Sequence, residues 1–179
     1  MNTNKYTQKT LEAVQDAQSI AQQNGNVELT TLHILHGLLS DEEGFVTQVL
    51  TSSGADVNGL LDEVTRQIER LPKMSGNAQV YLSAEANNVL NAAETKADEM
   101  KDEYVSVEHV MMAVFEKGKS VAETLARYGA NKDKFMASLA KARGNVRVTS
   151  DNPEATFDSL NKYATDLVEL AKTRPRDRT

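Results

Sequence analysis

Apolar and polar positions alternate along this chain with the period of a helix, and the whole pattern occurs twice. Ala13, Ala17, Ile20 and Ala21, flanked by Leu11 and Val14, recur every three to four residues, which predicts a helix burying one face. Thr7 precedes it as an N-cap, and Asn24-Gly25-Asn26 closes it with residues that tolerate left-handed backbone. Thr30 opens a shorter helix through Leu39 that is almost wholly apolar, so it is predicted to be buried on all sides. Asp41-Glu42-Glu43 places negative charge at the positive end of a third helix carrying Phe45, Val46, Val49 and Leu50. Gly54 then suits the position just past the helix end, and Asp56 the next N-cap. Leu60, Leu61, Val64, Ile68 and Leu71 mark a fourth amphipathic face, stopped by Pro72.

After a connector from Lys73 to Tyr81 that holds Ser75-Gly76-Asn77, the plan restarts. Ser83 caps a helix with Ala86, Val89, Leu90, Ala93, Ala97 and Met100 facing inward. The polar turn Asp102-Glu103-Tyr104-Val105 delivers Ser106 as N-cap of a second buried helix running to Phe115. His33 and His109 are separated by 76 residues (109 − 33), as are Thr7 and Ser83 (83 − 7). Val121 and Leu125 match Val46 and Leu50, and Gly129 and Asn131 match Gly54 and Asp56 after a one-residue loop deletion. Phe135, Met136 and Leu139 match Leu60, Leu61 and Val64. The expected fold is all-α: a pseudo-twofold tandem repeat of two four-helix units, eight helices, with repeat one at 6–71 and repeat two at 82–143. A unit of about 65 residues buries too little surface to be very stable alone, so the two are expected to form one domain over 1–143. Residues 144–155, with aperiodic Val146-Arg147-Val148-Thr149-Ser150-Asp151-Asn152-Pro153, read as a mobile linker. Phe157, Leu160, Ala164, Leu167 and Ala171 predict one extra C-terminal helix within 156–173, ahead of a frayed basic tail at 174–179.

Composition narrows the function more than the fold. The chain has 179 residues, 40% of them hydrophobic, with no Trp and only four Phe, so aliphatic side chains and Ala must fill the core. It has no cysteine, hence no disulfide framework or thiolate chemistry. A net charge of −6 argues against a nucleic-acid partner, which would require a basic face. No apolar region follows Met1–Lys5 and no run reaches membrane-spanning length, so a soluble, cytoplasmic protein without a membrane partner is expected. His33 and His36, one turn apart near Asp41 and Glu42, have metal-pair spacing. A His-based metal enzyme is weighed on that ground against a structural role, since His33 occupies the same repeat position as His109; the expectation is no metal. The chain contains no G-x-x-x-x-G-K-[ST] and no convincing nucleophile–base arrangement, so neither ATPase activity nor a bound cofactor is expected of it. The acidic run Asp98, Glu99, Asp102 and Glu103 reads as solvated surface, with adaptor docking as the alternative.

Tyr6-Thr7 with Ala13, Ala17 and Ala21, Leu32-His33-Ile34-Leu35 with Leu38-Leu39, Leu82-Ser83, and Tyr104-Val105-Ser106-Val107-Glu108-His109 together resemble the Clp N-terminal repeat. Within that family the connector (Leu71-Pro72, Ser75-Gly76, Gln79 to Ser83) and the stretch from Val148 to Ala171 are most similar to ClpB-type disaggregases. The terminal Arg174 to Thr179 departs from the pattern. The resemblance implies a substrate-binding module that transiently captures unfolded or aggregated polypeptide for threading by ATPase modules absent from this chain. ATP and Mg would belong to that parent, as would hexamer formation and collaboration with an Hsp70-type chaperone; the isolated chain is expected to be monomeric. It also implies that Thr7, Asp102 and Glu108 stand at the rim of a substrate surface, with half-exposed Tyr104 and His109 flanking its groove. Ala92 and Lys96 occupy groove positions where leucine is frequent in that family, so the apolar patch is expected to be smaller. An adaptor- or phosphoarginine-docking role of the ClpC/ClpA type is the alternative. That role uses an acid before the His of both repeats, and here Leu32 fills the first place while Glu108 fills the second.

Overall fold

The computed structural model describes residues 3–74, 79–144 and 146–153. The helix expected within 156–173, the tail at 174–179 and Ser75-Gly76-Asn77 of the connector lie outside the described residues. Among those described, eight α-helices follow the predicted order: α1 (Gln8–Gln23), α2 (Thr31–Leu39), α3 (Phe45–Ser52), α4 (Val57–Glu69), α5 (Ala84–Glu99), α6 (Val107–Lys117), α7 (Ala122–Arg127) and α8 (Lys132–Arg143). The caps act as the sequence implies. Side-chain oxygens of Thr7, Asp56, Ser83 and Asn131 each accept the N–H three residues on, at 3.0–3.2 Å. Each bond satisfies a first-turn donor that has no partner within its helix.

Helices α2 and α6 form the centre. Every residue of α2 except His36 is buried, as are Val107 to Val114 of α6. In its own repeat, α2 packs on α1 and α4; α6 likewise packs on α5 and α8, and the two central helices touch each other. The peripheral helices cross over: α3 of the first repeat packs on α8 of the second, and α4 packs on α7. The core is therefore shared, and neither half closes its own apolar face. Close approach of α1 and α2 depends on Gly37, where an added Cβ would collide with the Ala13 carbonyl.

The repeats also exchange their leading segments, a feature the sequence does not announce. A two-stranded parallel sheet joins β1 (Glu28–Leu29) to β2 (Tyr81–Leu82), with Leu29 opposite Leu82. Tyr6 pairs in parallel with Val105. These are equivalent crossings, since Tyr6 and Leu82 lie 76 apart, as do Leu29 and Val105. The preceding turns match too: Gly25 and Lys101 both have positive φ, 69° and 59°. Lys101 adopts a left-handed conformation that costs a non-glycine residue roughly 1–2 kcal/mol.

The predicted mobile linker does not begin at Gly144. Residues 146–153 lie on the domain, with Val148 fully buried in the core. Its anchors are isolated hydrogen bonds and one buried valine without a repeating spacing, which is why no periodicity marked it.

Candidate functional site

Each buried helix begins with a histidine that completes its cap. In repeat two the Ser106 N–H donates to His109 Nδ1 at 2.8 Å, and the Ser106 hydroxyl lies 3.0 Å from the same nitrogen. An Nδ1 that accepts a backbone N–H carries no proton, so the proton resides on Nε2, which donates to Asp102 Oδ2 at 2.7 Å. Repeat one has the same arrangement: the Thr30 N–H donates to His33 Nδ1 at 2.8 Å, and His33 Nε2 donates to Asn26 Oδ1 at 2.9 Å. Burial, and secondarily the nearby His36, pushes the His33 pKa down to about 4.

The two repeats differ at the residue that receives the histidine. In repeat one the returning chain presents the Pro72 carbonyl, and Asn26 Nδ2 donates to it at 3.2 Å. The returning chain of repeat two instead presents donors. Asp102 accepts from His109 Nε2, from Arg143 Nη1 (2.9 Å) and Nη2 (2.7 Å), and from the Val148 N–H (2.9 Å). Four bonds saturate a carboxylate. Burial opposes ionisation of Asp102, but the bonds from His109, Arg143 and Val148 prevail and hold its carboxyl well below the usual range. Glu108, also fully buried, has its Oε2 3.3 Å from Arg143 Nη1, yet neither of its oxygens accepts a hydrogen bond.

This geometry corrects the expected substrate rim. The structure does gather residues around the Thr7–Val105 pairing, where the Thr7 N–H donates to the Val105 carbonyl at 3.0 Å. But Thr7, Asp102, Glu108 and His109 are all buried, because each spends its polar atoms on a cap or on the ionic cluster. His109 is thus not a half-exposed ring; Tyr104 is half-buried and packs against the core. Ala92 and Lys96 stand apart on α5. There Lys96 Nζ lies 2.7 Å from Glu116, which also meets Lys132 at 3.3 Å, tying α5, α6 and α8 together by charge. Glu108, the remaining acid of the phosphoarginine alternative, is consumed by its ion pair with Arg143. His33 and His36 do not converge either: His36 Nδ1 faces Asp16 at 2.7 Å while His33 faces Asn26.

Arg143 and Val148 escaped sequence reasoning. The available signal was the change from Asn26 to Asp102 at equivalent positions, since a new buried charge requires a cation near it. Also missed was the exposed crossing. Tyr81 is 60% exposed and Leu82 40%, and Leu82 borders an apolar cleft of about 170 Å³ with Val80, Val14, Leu29, Ile34 and Leu90.

Two interlocked four-helix repeats with exchanged leading segments define a pseudo-twofold helical tandem-repeat domain. The sequence model of the Clp repeat (R) N-terminal domain matches residues 5–128, and the chain belongs to that family. Over 176 residues it is 35% identical to Chaperone protein ClpB of Bacillus anthracis, and over 175 residues 38% identical to that of Corynebacterium efficiens. Each alignment covers 96% of this chain and 20% of the relative, so the chain spans about a fifth of the length of the curated relatives it matches. Its fold is that of the Hsp104 N-terminal domain from Candida albicans (TM-score 0.75, 21% identity, covering 83% of this chain and 98% of that one). The N-terminal domain of the ClpV1 ATPase from E. coli is also similar (TM-score 0.69, 18% identity, 84% and 91% covered). No helix among the described residues is long and apolar enough to cross a membrane.

Proposed function

We propose that this chain is the polypeptide-capturing module of a ClpB-type disaggregase, holding unfolded or aggregated segments briefly for ATP-driven modules outside it. The observation that carries this reading is the crossing at β1 and β2, where Tyr81 stands exposed and Leu82 borders an apolar cleft. An aromatic ring and a leucine on a short strand suit extended chain of varied sequence, because they supply apolar area without demanding a particular partner. One small cleft implies weak capture, since association must first overcome lost translational and rotational freedom. Weakness serves threading, which requires release. The ion network at Lys96, Glu116 and Lys132 keeps the other flank of α5 polar, leaving the apolar contact to the crossing.

The test is a Tyr81→Ala, Leu82→Ser double variant titrated with a permanently unfolded, fluorescently labelled protein. Losing contact area worth about 1–2 kcal/mol weakens binding roughly tenfold. The melting temperature should hardly move, because both side chains are exposed. Unchanged affinity would refute the assignment.

A further inference from the structure

The two crossings are equivalent by repeat, yet one is bare and the other covered. Leu82 is 40% exposed beside Leu29, whereas its counterpart Tyr6, beside Val105, is only 2% exposed. Residues 146–153 run between Glu103 and Gln8, which flank this second crossing in sequence. Residues 146–152 have no helix or strand of their own. Its Val148 side chain is fully buried. The Val148 carbonyl accepts the Glu103 N–H and the Asp151 carbonyl accepts the Gln8 N–H, both at 2.7 Å; the Gln8 side chain adds a bond to the Asp151 carboxylate at 3.2 Å. Main-chain bonds with a few buried apolar side chains, here Val148 and Pro153, are how a domain receives an extended polypeptide with little regard to its sequence.

We propose that residues 146–153 are a built-in occupant of a polypeptide seat at the Tyr6–Val105 crossing, and that extended apolar polypeptide takes the seat when this strap lifts. The proposal rests on the capture reading and adds a second, autoinhibited site to the open one. Arg143 is the latch: it grips Asp102 below and donates to the Val146 carbonyl of the strap at 2.9 Å. Glu108 gives the latch an alternative position. Its Oε2 already lies 3.3 Å from Arg143 Nη1 and accepts no hydrogen bond. A guanidinium that swings to Glu108 stays paired while it releases the strap, and Asp102, which gives up its Arg143 and Val148 donors on opening, keeps His109 Nε2.

Hydrogen exchange of the Gln8 and Glu103 amides in the full chain tests this, because the strap carbonyls are the partners these two N–H groups have in the structure. Val148→Gly should speed exchange at both at least tenfold while the amides of α2 and α6 stay protected. Should those core amides also lose protection, Val148→Ala provides the same comparison in a milder variant. A synthetic peptide of residues 146–153 should then restore protection to the variant, and an unfolded model protein should do the same; both should act more weakly on wild type. Unchanged exchange in a folded variant overturns the strap, and lost protection that neither probe restores overturns the seat. Unfolded protein that binds variant and wild type alike also overturns the seat but leaves the capture reading intact. Peptide that restores protection while unfolded protein binds neither form supports the seat and overturns the capture reading.

Discussion

Replacing Asp102 with Asn keeps the shape of the side chain and removes one charge and half of its acceptors. Asp102 receives four donors, two on each oxygen. Asn accepts on one oxygen, so its NH2 group must face two of them whichever way the amide is turned. His109 cannot relieve the clash by moving its proton, because Nδ1 is engaged by the Ser106 N–H. Arg143, 7% exposed, keeps Glu108 as a counter-charge, at 3.3 Å. Breaking a buried ion pair by removing one partner costs about 3–5 kcal/mol, and the residual Glu108 places this case near the lower end. For a domain of this size, about 3 kcal/mol lowers the melting temperature by roughly 6–12 °C. Urea denaturation measures the loss, and Arg143→Leu in the Asp102→Asn background should recover part of it, because the two residues act as one unit. The loss should also depend on pH. The folded carboxyl is held below its ordinary range, so the stabilisation is complete at neutral pH and fades as pH falls below about 4. If Asp102→Asn costs under about 1 kcal/mol at pH 7, the four-bond account is wrong.

Two further outcomes follow from the same packing. His33 stays neutral in the folded protein down to about pH 4, while the unfolded chain protonates near 6.5, so stability is full above pH 6.5 and falls by about 3 kcal/mol as pH drops to 4. A pH series of denaturation curves should show that slope, and His33→Gln should flatten it. Gly37→Ala should cost about 3 kcal/mol or more, because its Cβ would meet the Ala13 carbonyl backbone and α1 would have to move away. Calorimetry that finds it as stable as wild type would refute that packing.

Much of this protein is written locally. The spacing of Ala13, Ala17 and Ala21 and the apolar run of α2 specify helices by their own period, and Thr7, Asp56, Ser83 and Asn131 specify where helices begin. Each of these features acts within one or two turns, so sequence alone carries it. The 76-residue echo likewise fixed two copies of one plan. Tertiary structure decided whatever joins positions far apart in the chain. No local signal tells Tyr6 to pair with Val105 or Leu82 with Leu29, because strands of two residues have no period to read. Thr7, Glu108 and His109 looked like surface polar residues beside a groove, and the fold buried them, Thr7 and His109 with hydrogen-bond partners inside and Glu108 beside the Arg143 guanidinium. Arg143 and Val148 lie 41 and 46 residues from Asp102. A saturated carboxylate is a property of four groups meeting at one point, and only the folded chain brings them there.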